Sequence, residues 1–594
     1  MHQKLAFYQN IQLQLEQEIA KLDTIISRVS WIRLILFVTA IACWFILQTL
    51  VATLVFSMLV IGFALIIRYD NKCRNKRRVV NTKIKICKAE QELNVSKNQL
   101  YYDGSSYSSS SHAYTSDLDV FGPYSIFHLV NRCFTPTGMD VLAGWLKSPS
   151  SKNEIIERQQ AVKELSQKFD FRMALGVAGI LNQEDGKIID SESWSGDEKS
   201  FQSIKNTWII ASILMLLNLG LAIASFWLSD ILALFTISII GANFYIYGSR
   251  WSKVKHRYQI ISKTEQILKL YKNLLKIIES EKLESSLNKA LKNELQVDGH
   301  RALHVINKIE KIIQWIDLRL NPMYHIFINS LFFTDIWFLY RIEKWKIQHG
   351  QLLHKWKISI GNFEALISLS TLHFNNSDWC FPEINDAFSL AIESFTHPLI
   401  SIEKRVSNSY KINQPNHVDI LTGSNMSGKS TFLRSIGVNI VLALAGAPVC
   451  AKSMSLYPIV LMTYMRMSDS LEDSTSAFYA EIKRMRQILE ISHEQCNVFL
   501  LLDELLRGTN SMDRTKGSMA IIKKVISDDT SAIIATHDLS ITKMKSDYPK
   551  NIDTFYFDII VTDGRMVFDY KLKHGVCQST NASLLLKEIG LEIE

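Results

Sequence analysis

The stretch Leu421-Thr422-Gly423-Ser424-Asn425-Met426-Ser427-Gly428-Lys429-Ser430-Thr431 matches G-x-x-x-x-G-K-[ST] at every fixed position. Two glycines let the backbone turn tightly, so that its N–H groups face phosphate oxygens. Lys429 has the length to reach β- and γ-phosphates, and the Ser430 hydroxyl is placed to ligate Mg²⁺. The surroundings support this reading. Val418-Asp419-Ile420-Leu421 is a short apolar strand leading in, and Thr431 to Leu444 has a helical pattern leading out. The helix N-terminus then points at the anion.

Further along, Val498-Phe499-Leu500-Leu501-Leu502 is an unbroken apolar run ending in Asp503-Glu504. A parallel strand buried on both faces reads this way. Carboxylates at its C-terminal end fall where α/β sheets bind ligands. Asp503 suits the Mg²⁺ shell, and Glu504 suits orientation and deprotonation of an attacking water. A second such strand, Ser531 to Ala535, leads to Thr536-His537-Asp538. His537 at that place is a γ-phosphate sensor. The expected catalytic groups are thus Lys429, Glu504 and His537. Residues 423–431, from Gly423 to Thr431, form the nucleotide cradle, and Ser430 and Asp503 are the metal ligands.

These residues also carry a family resemblance. Gly423-Ser424-Asn425-Met426-Ser427-Gly428-Lys429-Ser430-Thr431 resembles the G-P-N-M-G-G-K-S-T loop of the MutS family of DNA mismatch-repair ATPases. Ser424 stands for the Pro and Ser427 for a Gly. Asp503 to Thr509 resembles the family's D-E-x-G-R-G-T, with Leu506 in place of Gly. Arg466 to Glu481 resembles the segment that reaches across a dimer to the partner's nucleotide, which makes Ser476 the residue acting in trans, with Phe478 and Glu481 behind it. Ser474 replaces a family Gly there. His397-Pro398 matches a pair that precedes the family's nucleotide site. No aromatic falls near Arg405-Val406, where the family stacks adenine. Asp117 to Leu175 is similar to the family's helical core, the lever that couples nucleotide state to the DNA clamp. The resemblance implies ATP and Mg²⁺ as ligands and a homodimer through the ATPase domains, with DNA as a candidate partner. Mismatch reading is not expected. The N-terminus is a short helix and an apolar hairpin, and the Phe-x-Glu at Phe381-Pro382-Glu383 lies beside the ATPase.

The chain has 594 residues, of which 47% are hydrophobic. Leu34 to Ile67 is almost wholly apolar and fits two crossings with a turn near Gln48. Trp208 to Trp227 and Ile231 to Tyr247, divided by Ser229-Asp230, form a second pair. Backbone groups in lipid must be paired internally, so both pairs read as helical hairpins. A cleaved signal peptide is not expected, because the first apolar run begins only after some thirty residues. Arg28 and Arg33 precede the first hairpin, and a run from Arg68 to Lys88 follows it. Lys205 precedes the second, and Arg250 to Arg257 follows. These flanks place both termini and the ATPase on the cytoplasmic side of an inner membrane. Net charge is +8, too mild to demand nucleic acid. Eight cysteines without C-x-x-C pairs fit a reducing compartment.

The expected fold is an α/β P-loop NTPase domain at the C-terminus, preceded by an all-α core-like region and two transmembrane helical hairpins. The divisions are 1–30, an amphipathic helix; 31–68, hairpin one; 69–116, a basic segment and Ser-rich flexible linker; and 117–200, the helical core. They continue with 206–248, hairpin two; 250–370, a Lys-rich helical continuation whose tryptophans read as core; and 371–594, the ATPase domain. A short helix is expected over Asn581 to Leu591. The leading function is a membrane-anchored ATPase acting at a dimer interface. The alternative is an ATP-driven membrane scaffold or a transport component without a DNA role. The transporter signature L-S-G-G-Q is absent.

Overall fold

The computed structural model describes residues 2–46, 50–92, 98–185, 198–228, 268–297, 300–317, 333–424, 427–465, 477–562 and 565–577. Its first half is helical. Helices α1 (His2–Ile46) and α2 (Leu50–Gln91) form an antiparallel hairpin, and the expected turn residue Gln48 lies outside the described residues. Both are long and apolar enough to cross a membrane. Only 11% and 6% of their apolar windows are buried, unlike the core helices of a soluble domain. Trp31, Leu34, Phe37, Trp44, Leu54, Met58 and Ile61 all face outward. The polar ends of the hairpin are ion-paired: Lys76 with Glu18 at 2.8 Å, Arg77 with Asp23 at 2.5 Å, and Arg33 and Arg74 both on the buried Asp70.

The short helices α3 (Ile126–Val130), α4 (Pro136–Lys147), α5 (Lys152–Gln167) and α6 (Phe169–Asp185) form the core block. Their starts are locally encoded. Thr135 accepts from the Gly138 N–H with Pro136 in the first turn, and Ser151 with Glu154 forms a capping box. Helix α7 (Glu198–Leu228) carries the first segment of the second expected hairpin; Ser229-Asp230 and Ile231 to Tyr247 lie outside the described residues. Helices α8 (residues 268–280), α9 (Ser286–Glu294) and α10 (Ala302–Asp317) follow, with a small ribbon of β1 (Gln296–Val297) and β2 (His300–Arg301) between the last two. The 42-residue α11 (Thr334–Asn375) runs from α7 to the core block. Trp345 and Trp356 are buried on it, as core tryptophans should be.

Two polar clusters fix this assembly. Glu90, at the end of α2, takes a two-pronged bond from Arg132 (2.5 and 2.9 Å) and a third from Asn375 at 2.7 Å. Tyr8 of α1 donates to the same Asn375 at 3.0 Å. Burial opposes the Glu90 charge, but Arg132 and these donors outweigh it and hold the carboxyl below its usual range. The hairpin is thereby tied to the core and to the end of α11. Glu364, also on α11, accepts from the Thr135 hydroxyl and from the N–H groups of Thr135 and Phe134. Here burial prevails and pushes the carboxyl up to about 7.

The C-terminal half is an α/β unit. A six-stranded sheet has the order β12-β11-β6-β10-β9-β8. Its strands are β6 (Val418–Thr422), β8 (Val460–Tyr464), β9 (Val498–Asp503), β10 (Ser531–Thr536), β11 (Ile552–Thr562) and β12 (Arg565–His574). All neighbours are parallel except β11 and β12. Every residue of β6, β9 and β10 is buried. A second sheet, β3-β7-β4-β5, is built from β3 (Glu383–Ile384), β4 (Leu390–Phe395), β5 (Asn408–Ile412) and β7 (Ser453–Leu456). A helical first half and α/β sheets in the second agree with the expected fold class. All eight cysteines are free thiols.

The Ser-rich stretch 104–116 is not the flexible linker that its composition suggests. Tyr107 packs its ring on Phe121 and Phe127, and buried Tyr114 donates to the Leu146 carbonyl at 3.0 Å. Arg484 donates to the carbonyls of Ser111, His112 and Ala113. Polar side chains here face solvent while the backbone is held from behind. The expected short helix at Asn581 to Leu591 lies outside the described residues.

Two outcomes follow. Replacing Arg132 by Met leaves Glu90 buried without its cation and should destabilise the protein by about 3–5 kcal/mol in denaturant titration. The native Glu364 carboxyl holds its proton up to about pH 7, above its unfolded value. Stability should therefore fall as pH rises from about 4.5 to about 7, and Glu364→Gln should flatten that slope.

Candidate nucleotide site

The phosphate loop joins β6 to helix α12 (Lys429–Leu444). Gly423 has φ +148°, and a side chain there would run into Ser427 Oγ and the Phe557 carbonyl. Gly428 has φ +103° and caps α12, with the Tyr570 ring packed 3.0 Å from where a Cβ would stand. Both positions need glycine. The Ser427 hydroxyl donates to the Ser424 carbonyl at 2.8 Å, closing the loop. Lys429 is buried, and its Nζ donates to the carbonyls of Gly423 and Ser424 at 2.7 and 2.9 Å. Burial pushes this ammonium down from its ordinary value, against the pull of Glu504 and Asp503.

Strand order brings the other groups alongside. With β10 between β6 and β9, the loop, His537 and Asp503-Glu504 share the C-terminal edge of the sheet. Ser430 Oγ donates to Asp503 Oδ2 at 2.5 Å. Asp503 Oδ1 is buried with no hydrogen-bond partner among the described residues. Burial pushes the Asp503 carboxyl up. A hard cation is the natural ligand for that oxygen, so the residues fit Mg²⁺. Glu504 sits at φ +50°, with its N–H on the Ala535 carbonyl at 2.9 Å. Its carboxylate is steered from two sides, by Arg507 at 2.8 Å and His537 Nδ1 at 3.6 Å. Asn425, Met426 and Ser476 lie outside the described residues; Thr431 lies in the first turn of α12.

Several residues that the sequence placed only within motifs or blocks make supporting contacts here. Glu481, on α13 (Ala477–Glu494), is buried and accepts from the Tyr464 hydroxyl at 2.6 Å and from the N–H groups of Arg507 and Gly508. It fixes the turn that carries Glu504. Asp117 accepts from Thr463 Oγ1 at 2.7 Å and from the Met465 N–H. The core block therefore grips β8 one residue before segment 466–476. His397 is neutral, since burial pushes it down to about 4. Arg405 bonds the carbonyls of Ile400 and Pro398, so its guanidinium is committed to the backbone.

Residues 419–586 match the model of MutS domain V. The C-terminal part of the chain thus carries a MutS domain V. Similar proteins include the human MutS protein homolog 4, 30% identical over 257 residues, covering 41% of this chain and 26% of that protein. The DNA mismatch repair protein MutS of Persephonella marina is 28% identical over 237 residues, covering 39% and 27%. The Arabidopsis thaliana DNA mismatch repair protein MSH4 is 29% identical over 212 residues, covering 35% and 26%. The chain thus spans about a quarter of the length of these relatives.

One departure from the family motif has a visible compensation. Leu506, where the resemblance has Gly, sits at φ +56° and is buried. Its Cδ1 occupies the notch left by Gly517, 2.4 Å from where a Cβ would stand there. Gly517 lies on α14 (Ser511–Ser527). Gly517→Ala should cost about 1–3 kcal/mol by overpacking. Leu506→Gly relieves about 1 kcal/mol of strain but opens a cavity worth about 2–4 kcal/mol. The double variant should be less damaged than the two losses combined, by about 1 kcal/mol or more in denaturation midpoints. Simple additivity would refute the contact.

Proposed function

We propose that the chain is a MutS-like ATPase that binds and hydrolyses ATP at the edge of β6, β10 and β9, at an interface between two copies. The carrying observation is the pair Ser430–Asp503 beside a buried lysine, with one Asp503 oxygen left for a metal. Bound Mg²⁺ would neutralise charge on the β- and γ-phosphates. Ser430 and Asp503 would hold it. Lys429 would exchange its two loop carbonyls for phosphate oxygens. Glu504 would take the proton of the attacking water as the new P–O bond forms and the bond to the ADP oxygen breaks. His537 would donate to the γ-phosphate, and Arg507 would keep Glu504 aimed. Ser476 of each copy would complete the other's site, so that γ-phosphate loss alters the pairing. Tyr570, standing over Gly428, would serve as the aromatic neighbour missing near Arg405-Val406.

The outward apolar faces of α1 and α2 support attachment to the bilayer, with both termini and the ATPase in the cytoplasm. With α7, whose apolar face is also exposed, they favour an ATPase working at the membrane. DNA remains the partner suggested by the relatives' names, and a membrane scaffold driven by ATP is the alternative. ATPase assays in detergent with intact, mismatched and branched duplexes separate the two: DNA stimulation supports the first, and equal rates throughout support the second. In the same assay Lys429→Ala should lose nucleotide binding. Glu504→Gln should retain ATP while kcat falls by about 10²-fold or more. Unchanged turnover in Glu504→Gln would exclude the base assignment.

A further inference from the structure

Between α7, α10 and α11 lies a cavity of about 1460 Å³, far from the phosphate loop in the chain and built from none of its residues. Its walls are cationic. Lys308 and Lys311 stand one turn apart on α10, and Arg341 and Lys344 one turn apart on α11. Among the described residues no carboxylate lines the cavity and none forms an ion pair with any of the four. Like charges gathered in this way raise one another's energy unless an anion sits among them.

The wall also carries the aromatic residues Trp208, Phe333, Trp337, Phe338 and Trp345. Arg341 lies over the Trp337 ring at 3.9 Å, and Trp208 of α7 stacks on Tyr340 with centroids 4.5 Å apart. The Trp208 indole N–H is buried with no hydrogen-bond partner among the described residues. It is a spare donor beside the cations. Just beyond it, α7 turns Ile209, Ile210, Ile213, Leu216 and Leu217 outward. Cations and tryptophan at the end of an exposed apolar helix are the chemistry of a bilayer's headgroup layer. A nucleic-acid duplex fits poorly, because the cavity is walled by three helices and opens beside an apolar face.

We propose that this cavity binds the phosphate headgroup of an acidic membrane phospholipid, its acyl chains lying along the exposed face of α7. The assignment rests on the reading of the chain as membrane-attached. Headgroup and chains would together fix the junction of α7 with α11.

The test uses the full chain, extracted in neutral detergent and returned to bilayers of mixed phosphatidylglycerol and phosphatidylcholine. Lipid retained after gentle re-extraction is counted by native mass spectrometry. The parent should retain phosphatidylglycerol in preference. Each of Lys308→Gln, Lys311→Gln and Arg341→Gln should lower that preference about five-fold. The matched single variants Lys83→Gln, Lys85→Gln and Lys88→Gln on α2 should each leave it unchanged. Equal preference in the cavity variants overturns the proposal and leaves membrane attachment standing. Displacement of the lipid by inorganic phosphate alone, or by duplex DNA, overturns the lipid assignment in favour of a free-phosphate or nucleic-acid site. Recovery of the intact parent in the aqueous fraction without detergent removes the membrane reading and the proposal with it.

Discussion

A carboxylate buried at the edge of a parallel sheet constrains everything around it. Asp503 ends a strand with no exposed residue, shares one oxygen with Ser430, and keeps the other without a donor among the described residues. Such a group is costly to bury unless something positive arrives to meet it. Its position requires β9 to sit deep in the sheet, next to β10, with β6 and its loop one strand further. The lysine of that loop is as deeply buried and as poorly solvated. Opposite charges held in a dry place, each with unused capacity, suit the metal–phosphate pair that the proposed function calls for.

Around this centre, the core block is fastened to both flanks of one segment. Asp117 bonds Thr463 and Met465 at the end of β8, and the carbonyls of Ser111, His112 and Ala113 take up Arg484 of α13. Residues 466–476, which carry Ser476, begin and end between these two fastenings. Leu118 reaches Gly437 on α12, whose missing side chain leaves it room. A shift of the segment on nucleotide exchange would pull on residues 111–118 from two directions. On the proposed function, that would give coupling a contiguous route through these hydrogen bonds and packing.

The fixed positions of the phosphate loop and the apolar runs before Asp503 and His537 were legible because each signal is local. A loop needs its glycines, and a doubly buried strand needs its unbroken apolar run. The grouping of Lys429, Ser430, Asp503, Glu504 and His537 also follows from one rule, that ligands meet the C-terminal ends of parallel strands. What was misread depends on distant partners. Serines at 104–116 signal a loose connection, yet Arg484, some 370 residues away, holds the backbone. Leu506 reads as a flaw in a glycine motif until Gly517 is seen to make space for it. Glu481 was legible as a motif member, but its grip on Arg507 and Gly508 needed the fold. Leu34 to Ile67 showed its length and apolarity directly; that many of its described side chains, such as Leu34, Phe37, Leu54 and Met58, face outward needed the structure.

Helix α11 joins the two ends of this molecule without a break. At 1.5 Å per residue, its 42 residues make a stiff rod of about 60 Å. One tip carries Arg341 and Trp337, and the other delivers Glu364 and Asn375 to the block that grips the α/β unit. A rod of that length magnifies rotation. A swing of about 10° about the end at the α/β unit would sweep the far tip through roughly 10 Å, the scale of the headgroup layer in a bilayer. If the proposed nucleotide and membrane readings both hold, a displacement too small to notice at the phosphates becomes a stroke measured in lipid dimensions.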